Sequence, residues 1–181
     1  MKKVVIILTF FLMMGCGATD FSYTYKRGYD HPQYQFVKTA HQYVGWSEKS
    51  NRKEIRKLTG VDPVRTEWCA AFVNAVLKEN NTLGSESVND YPLMARSFMF
   101  WGERVDEPKI GDVVVFPRGN RGWQGHVGFY IETRIINEID YYVILGGNQE
   151  NAVTYELYPA YRALSIRRGF PVPDNYASTR S

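Results

Sequence analysis

Three side chains in this sequence have the types and placement that nucleophilic catalysis needs. They are Cys69 in Thr66-Glu67-Trp68-Cys69-Ala70-Ala71-Phe72-Val73, His126 in Gly125-His126-Val127-Gly128-Phe129-Tyr130, and Asn148 in Gly146-Gly147-Asn148-Gln149. A thiol at a helix N-terminus beside an imidazolium can have its pKa drawn from about 8.5 to roughly 3.5–7.5, which makes it a ready nucleophile. In this arrangement Cys69 attacks a carbonyl carbon, and His126 takes the thiol proton and returns it to the leaving amine. The side-chain oxygen of Asn148 accepts from the other ring nitrogen and fixes the tautomer. The backbone N–H of Cys69 offers one oxyanion donor, and no residue declares itself as the second.

Taken singly, each of these residues is as much at home in a core, since free cysteine is among the most buried residue types. Their joint placement carries the catalytic reading. His31 and His41 are poorer bases, the first in a polar stretch and the second on the outside of a helix. Cys69, His126 and the scattered carboxylates lack a clustered ligand spacing, so neither a metal nor a cofactor is expected.

The elements that must position these groups follow from periodicity. Phe36, Val37, Ala40, Tyr43 and Val44 predict a helix ended by Gly45, and a weaker one covers Arg52 to Leu58, stopping at Gly60. Cys69, Phe72, Val73, Val76 and Leu77 fall at i, i+3, i+4, i+7 and i+8, giving the strongest helix, with Thr66 placed to cap it. A short helix is expected over Pro92 to Trp101. From Gly111 the pattern turns β-branched and aromatic, predicting strands at 112–116, 127–131, 141–145, 152–158 and 163–167. Helices first and antiparallel strands after make an α+β fold, with the nucleophile helix packed on an antiparallel sheet.

A hairpin centred near Asn137 sets Gly128 opposite Gly146 and His126 opposite Asn148, with His126, Gly128 and Tyr130 on one face. Two facing glycines leave a shallow place where the Cys69 helix can approach. A bulge would shift this register. The glycine-rich loop Arg118 to Gln124 feeds the His126 strand and can form one wall of a cleft. Trp123 serves there as an apolar platform or as a packed side chain. Gln124 and Arg121 are further substrate-binding candidates, an arginine being suited to substrate carboxylates although a solvated surface explains each arginine as well.

The first 15 residues read as a secretory signal. Lys2 and Lys3 precede a short apolar run that is below the about 20 residues of a membrane span. Gly15-Cys16 resembles a lipobox, which makes Cys16 the lipidation site and its lipid a membrane anchor; cleavage near Gly17-Ala18 is the alternative. Residues 16–31 then form a tether, 32–168 the domain and 169–181 a flexible tail. Removing Lys2 and Lys3 leaves 20 basic against 19 acidic side chains, a near-neutral balance that gives no support for nucleic-acid binding. Cys69 is then the one cysteine inside the fold, which excludes an intramolecular disulfide.

The segments EWCAAFV, GDVVVFP, GHVGFY and GGNQ, in this order, resemble the NlpC-type and CHAP-type papain-like cysteine hydrolases of bacterial cell walls, and more specifically a small bacterial and phage family of that superfamily. The resemblance covers about Phe36 to Arg168. It implies a papain-like fold in circular order, with Cys69 as nucleophile, His126 as base and Asn148 as third residue. It also implies peptidoglycan stem or cross-link peptides as substrate. The expectation is an exported, lipid-anchored, monomeric cysteine peptidase or amidase working through an acyl-enzyme. An acyl or peptidyl transferase on the same fold, and a non-catalytic wall-binding or scaffold lipoprotein, are the alternatives.

Overall fold

The computed structural model describes residues 33–169. The expected signal, Cys16, tether and most of the tail lie outside the described residues. Three α-helices come first: α1 (Tyr34–His41), α2 (Arg52–Thr59) and α3 (Cys69–Glu79). Short 3-10 segments follow at Ser85–Ser87 and Ala95–Phe100. Six strands complete the chain: β1 (Glu103–Val105), β2 (Val113–Pro117), β3 (Gly125–Ile136), β4 (Ile139–Gln149), β5 (Ala152–Pro159) and β6 (Ser165–Arg168). They form one sheet in the order β1-β6-β2-β3-β4-β5, antiparallel throughout. This is the α+β architecture expected. The short strand β1 was not anticipated, and the helix expected over Pro92 to Trp101 is a 3-10 segment.

Helix α2 ends where Gly60 takes a left-handed φ of 77°, a conformation that favours glycine. Helix α3 has Trp68 at its N-cap position and no side-chain cap, so Thr66 does not cap it as expected. The indole of Trp68 is instead fully buried and donates to Glu48 at 2.9 Å, which anchors the helix start by packing. Phe72, Val73, Val76 and Leu77 are all 0% exposed and press on the sheet face carrying Val127, Phe129, Leu145 and Val153.

The opposite face of the sheet holds a second apolar group of Val114, Phe116, Tyr130, Ile144 and Ile166. By strand alternation His126, Gly128 and Gly146 belong to this second face. The close approach of α3 is therefore made at a different glycine. A Cβ on Gly147 would stand 2.6 Å from the Trp68 ring and 2.7 Å from Phe72 Cβ. The expectation that the Gly128 and Gly146 pair admits the helix is corrected accordingly.

Gly128 is constrained by its own sheet neighbours, since a Cβ there would lie 2.5 Å from Ile144 Cγ2 and 2.9 Å from the Leu145 oxygen. Gly128→Val should cost about 1–3 kcal/mol by overpacking, read as a lowered denaturation midpoint. An unchanged midpoint would show that Ile144 gives way.

An ion pair closes the sheet beside β1. Asp112 is fully buried and receives Nε and an Nη of Arg168 at 3.0 and 2.7 Å, as well as the Lys109 N–H at 2.7 Å. With its acceptors occupied, this carboxylate can stay buried at the start of β2.

Candidate active site

The start of α3 sets Cys69 beside the start of β3. Its sulfur lies on the backbone N–H groups of Val127 and Ala70. Val127 is the residue after His126, so the helix start meets β3 at the backbone next to the imidazole-bearing residue. Cys69 is 3% exposed, and burial pushes its thiol up, opposed by the nearby Arg118 and by those N–H groups. The depressed thiol pKa expected from a helix start does not hold, because desolvation of the thiolate outweighs these favourable contacts.

His126 is buried, and its Nε2 lies 2.9 Å from Gln149 Oε1. The Gln149 amide nitrogen donates to the carbonyl oxygens of Thr154 at 2.6 Å and Ile144 at 3.3 Å, which fixes its oxygen as the end facing the imidazole. Nε2 must therefore carry the proton, and Nδ1 is the basic nitrogen. Nδ1 is buried and has no hydrogen-bond partner among the described residues. Burial is the main cause that pushes the His126 pKa down to about 4, with Gln149 opposing and Arg118 adding to it. The resting pair is thus neutral thiol and neutral imidazole.

Asn148 is the one expected catalytic residue that the structure moves away. Its φ of 58° places it in the left-handed region, which asparagine tolerates better than most residues. The pairing of β4 with β5 shifts register between Gly146 and Gln149, so alternation breaks there. Its side chain turns to Glu67, donating to Oε2 at 2.6 Å, while the next residue, Gln149, reaches the imidazole. Gly146 makes room for that contact, since a Cβ there would lie 3.2 Å from Gln149 Oε1 and 3.4 Å from His126 Nε2.

Tyr158 is a further residue that sequence periodicity did not single out. Its ring stacks on His126 with centroids 5.3 Å apart and planes 16° from parallel, and it stacks on Phe116 at 4.6 Å. Tyr158 of β5 and Gln149 of β4 thus hold the imidazole of β3, with Phe116 of β2 stacked on Tyr158. Nothing in the sequence marks this, because an aromatic residue on a strand is ordinary core material.

A cleft of about 390 Å³ opens over Cys69. Leu93, Met94 and Ala95 form one side, and the loop after β2 forms another with Arg118, Gly119, Trp123 and Gln124. Trp123 is 55% exposed. The Gln124 side chain braces its own loop by accepting the Arg121 N–H at 3.0 Å, while its carbonyl accepts from Arg96 at 2.8 Å. Arg121 is exposed and is not among the residues lining the cleft, contrary to expectation; Arg118 stands there instead. Glu67 closes the mouth, 3.4 Å from an Arg118 nitrogen. Among the described residues, no group of three or more His, Cys, Asp or Glu is placed to hold a metal.

The buried His126 has a consequence for stability. The folded state binds its proton only below about pH 4, whereas the unfolded chain binds it from about 6.5. Between those values the unfolded state holds more protons, so stability rises with pH through the window and is lost as pH falls. The contribution is about 3 kcal/mol. His126→Gln should flatten the difference in unfolding free energy between pH 7 and pH 4, measured by denaturant titration. An identical slope in the variant would refute the buried neutral imidazole.

A helix start laid across an antiparallel sheet, in an α+β chain of this element order, is consistent with a papain-like fold. Residues 61–148 match the family model of the CHAP domain, a match consistent with the NlpC- and CHAP-type superfamily. The match includes Cys69 and His126 and ends at Asn148, next to Gln149. A CHAP domain brings with it a hydrolase function of the amidase or peptidase type, with peptidoglycan as the implied substrate. No curated protein and no solved structure matched the chain.

Proposed function

We propose that this protein is a cysteine amidase or endopeptidase that cleaves amide bonds in peptidoglycan through an acyl-enzyme. The observation that supports it most is the buried Nδ1 of His126, without a partner among the described residues, on the residue before the Val127 N–H that meets the Cys69 sulfur, while Nε2 is held by Gln149. In the resting state the thiol keeps its proton. As Sγ attacks the substrate carbonyl carbon, its proton moves to Nδ1, and the imidazolium so formed is stabilised through Nε2–H by the Gln149 oxygen. The same proton then passes to the leaving amine, and the thioester remains on Cys69. Water, deprotonated by Nδ1, hydrolyses the thioester and restores the thiol. The Cys69 N–H at the start of α3 serves as one oxyanion donor.

Digestion of purified peptidoglycan, with the released fragments identified by mass spectrometry, tests this reading and identifies the bond. New amino and carboxyl groups are expected, either within the peptide portion or at its junction with the sugar. A digest without such new groups would overturn hydrolysis. Export and a lipid anchor on Cys16 belong to the same proposal and rest on the sequence of the first 16 residues. Cys16→Ser should move the protein from the membrane fraction to the soluble exported fraction and abolish lipid labelling. Absence of lipid on the wild type would remove the anchor and leave the enzyme reading intact.

A further inference from the structure

We propose that Arg118 is a carboxylate-recognition residue of the cleft, so that the favoured substrate carries a free carboxylate close to the scissile amide. This inference rests on the site assignment above and adds to it the chemistry of the group bound beside the bond. Arg52, Arg168 and Arg118 meet an acidic side chain in contrasting ways. Arg52 gives Nε and an Nη to Asp62 at 2.8 and 2.6 Å, and Arg168 gives the same edge to Asp112 at 3.0 and 2.7 Å. These are the two-pronged contacts that suit a planar guanidinium and a carboxylate.

Arg118 differs. It lines the cleft with Cys69, and its hydrogen bond within the described residues is a single one, from one Nη to the Asn148 carbonyl oxygen at 3.3 Å. Glu67 is 3.4 Å from that same nitrogen and makes an ion pair without a hydrogen bond. A guanidinium has five N–H donors, and the Nε edge that docks a carboxylate elsewhere in this chain makes no hydrogen bond among the described residues here. Glu67 is 76% exposed and keeps its 2.6 Å contact from Asn148 if Arg118 turns to another anion. The Asn148 carbonyl holds the guanidinium near the nucleophile, and Leu93, Met94 and Trp123 around it lower the dielectric that a bound carboxylate would feel. The cleft is therefore suited to a substrate with an apolar portion and one negative charge.

Two small reagents that differ only in this charge provide the test. Iodoacetate and iodoacetamide both alkylate a thiol by forming the S–C bond and expelling iodide, but only the first carries a carboxylate. Their rates at Cys69 are measured on the full chain by mass spectrometry of the peptide containing Cys69, for wild type and Arg118→Gln. Loss of Arg118 also removes a charge that favours the Cys69 thiolate, so both rates fall, but the iodoacetate rate should fall about tenfold more than the iodoacetamide rate, the scale of one charge-assisted hydrogen bond. Equal losses with both reagents would show that Arg118 acts on the thiol rather than on the ligand, and unchanged iodoacetate labelling would show no recognition; either overturns the proposal. Should Arg118→Gln fail to fold, matched stem peptides bearing a free carboxylate or a carboxamide are compared with the wild-type protein. A preference for the free acid of about tenfold or more is expected, and equal turnover overturns the proposal. The alkylation ratio does not depend on hydrolysis, so a protein that shows the ratio but leaves peptidoglycan intact has lost the enzyme reading alone. One that digests peptidoglycan without the ratio has lost the carboxylate site alone.

Discussion

Cys69→Ala should abolish peptidoglycan turnover, by on the order of 10³-fold or more, while leaving a folded protein. The loss is large because the nucleophile, the thioester and the proton donated to His126 all disappear with one sulfur. The cost in stability should be small, about 1 kcal/mol, because one atom is removed at a helix start and Trp68 and Phe72 stay packed on Gly147. Circular dichroism and a denaturation midpoint establish folding, and release of new amino termini measures turnover. Full activity in folded Cys69→Ala would end the nucleophile assignment.

The second large effect is expected at Gln149 rather than Asn148. Gln149→Leu removes the acceptor at 2.9 Å from His126 Nε2, leaving that N–H buried without a partner and the tautomer unspecified. A loss in kcat of about 10²-fold is expected, the lower end of what general acid–base catalysis contributes. Asn148→Ala should cost less than about tenfold, since it removes a contact to the exposed Glu67 and leaves the backbone carbonyl that holds Arg118. Both variants are compared under conditions where each is folded, because Gln149→Leu also carries a stability cost of about 1–3 kcal/mol. An Asn148 effect larger than that of Gln149 would return the orienting role to Asn148.

That exchange of neighbours shows where sequence reasoning reaches and where it stops. Helix α3 was legible because five apolar positions recur at helical spacing, and the end of α2 because glycine at position 60 accepts a left-handed φ. The β3–β4 hairpin was legible too, with a turn at Asn137 and Glu138 where both residues take positive φ. Its irregularity between Tyr130 and Glu132 shifts the register, yet Phe129 still pairs with Leu145, as a centre at Asn137 requires. Extending that ladder to Asn148 failed because strand alternation assumes extended backbone at every step, and residue 148 leaves it. An asparagine followed by Gln149, Glu150 and Asn151 was the available signal, since asparagine tolerates the left-handed region and marks turns. The partners of Arg118 and the stacking of Tyr158 had no such signal, as both depend on elements brought together only by the sheet order.

The neutral thiol and neutral imidazole bear on how such a protein survives where it is proposed to work. Oxidation of cysteine, whether to sulfenic acid or by exchange with a disulfide, proceeds through the thiolate. Burial holds the Cys69 proton in place at rest, and the low affinity of Nδ1 for protons keeps His126 from drawing it away. Outside the cytoplasm no reducing pool repairs a damaged sulfur. Keeping the nucleophile unformed until a carbonyl arrives is a means of preserving it, and the modest resting reactivity of Cys69 is in this sense a chemical form of shelf life.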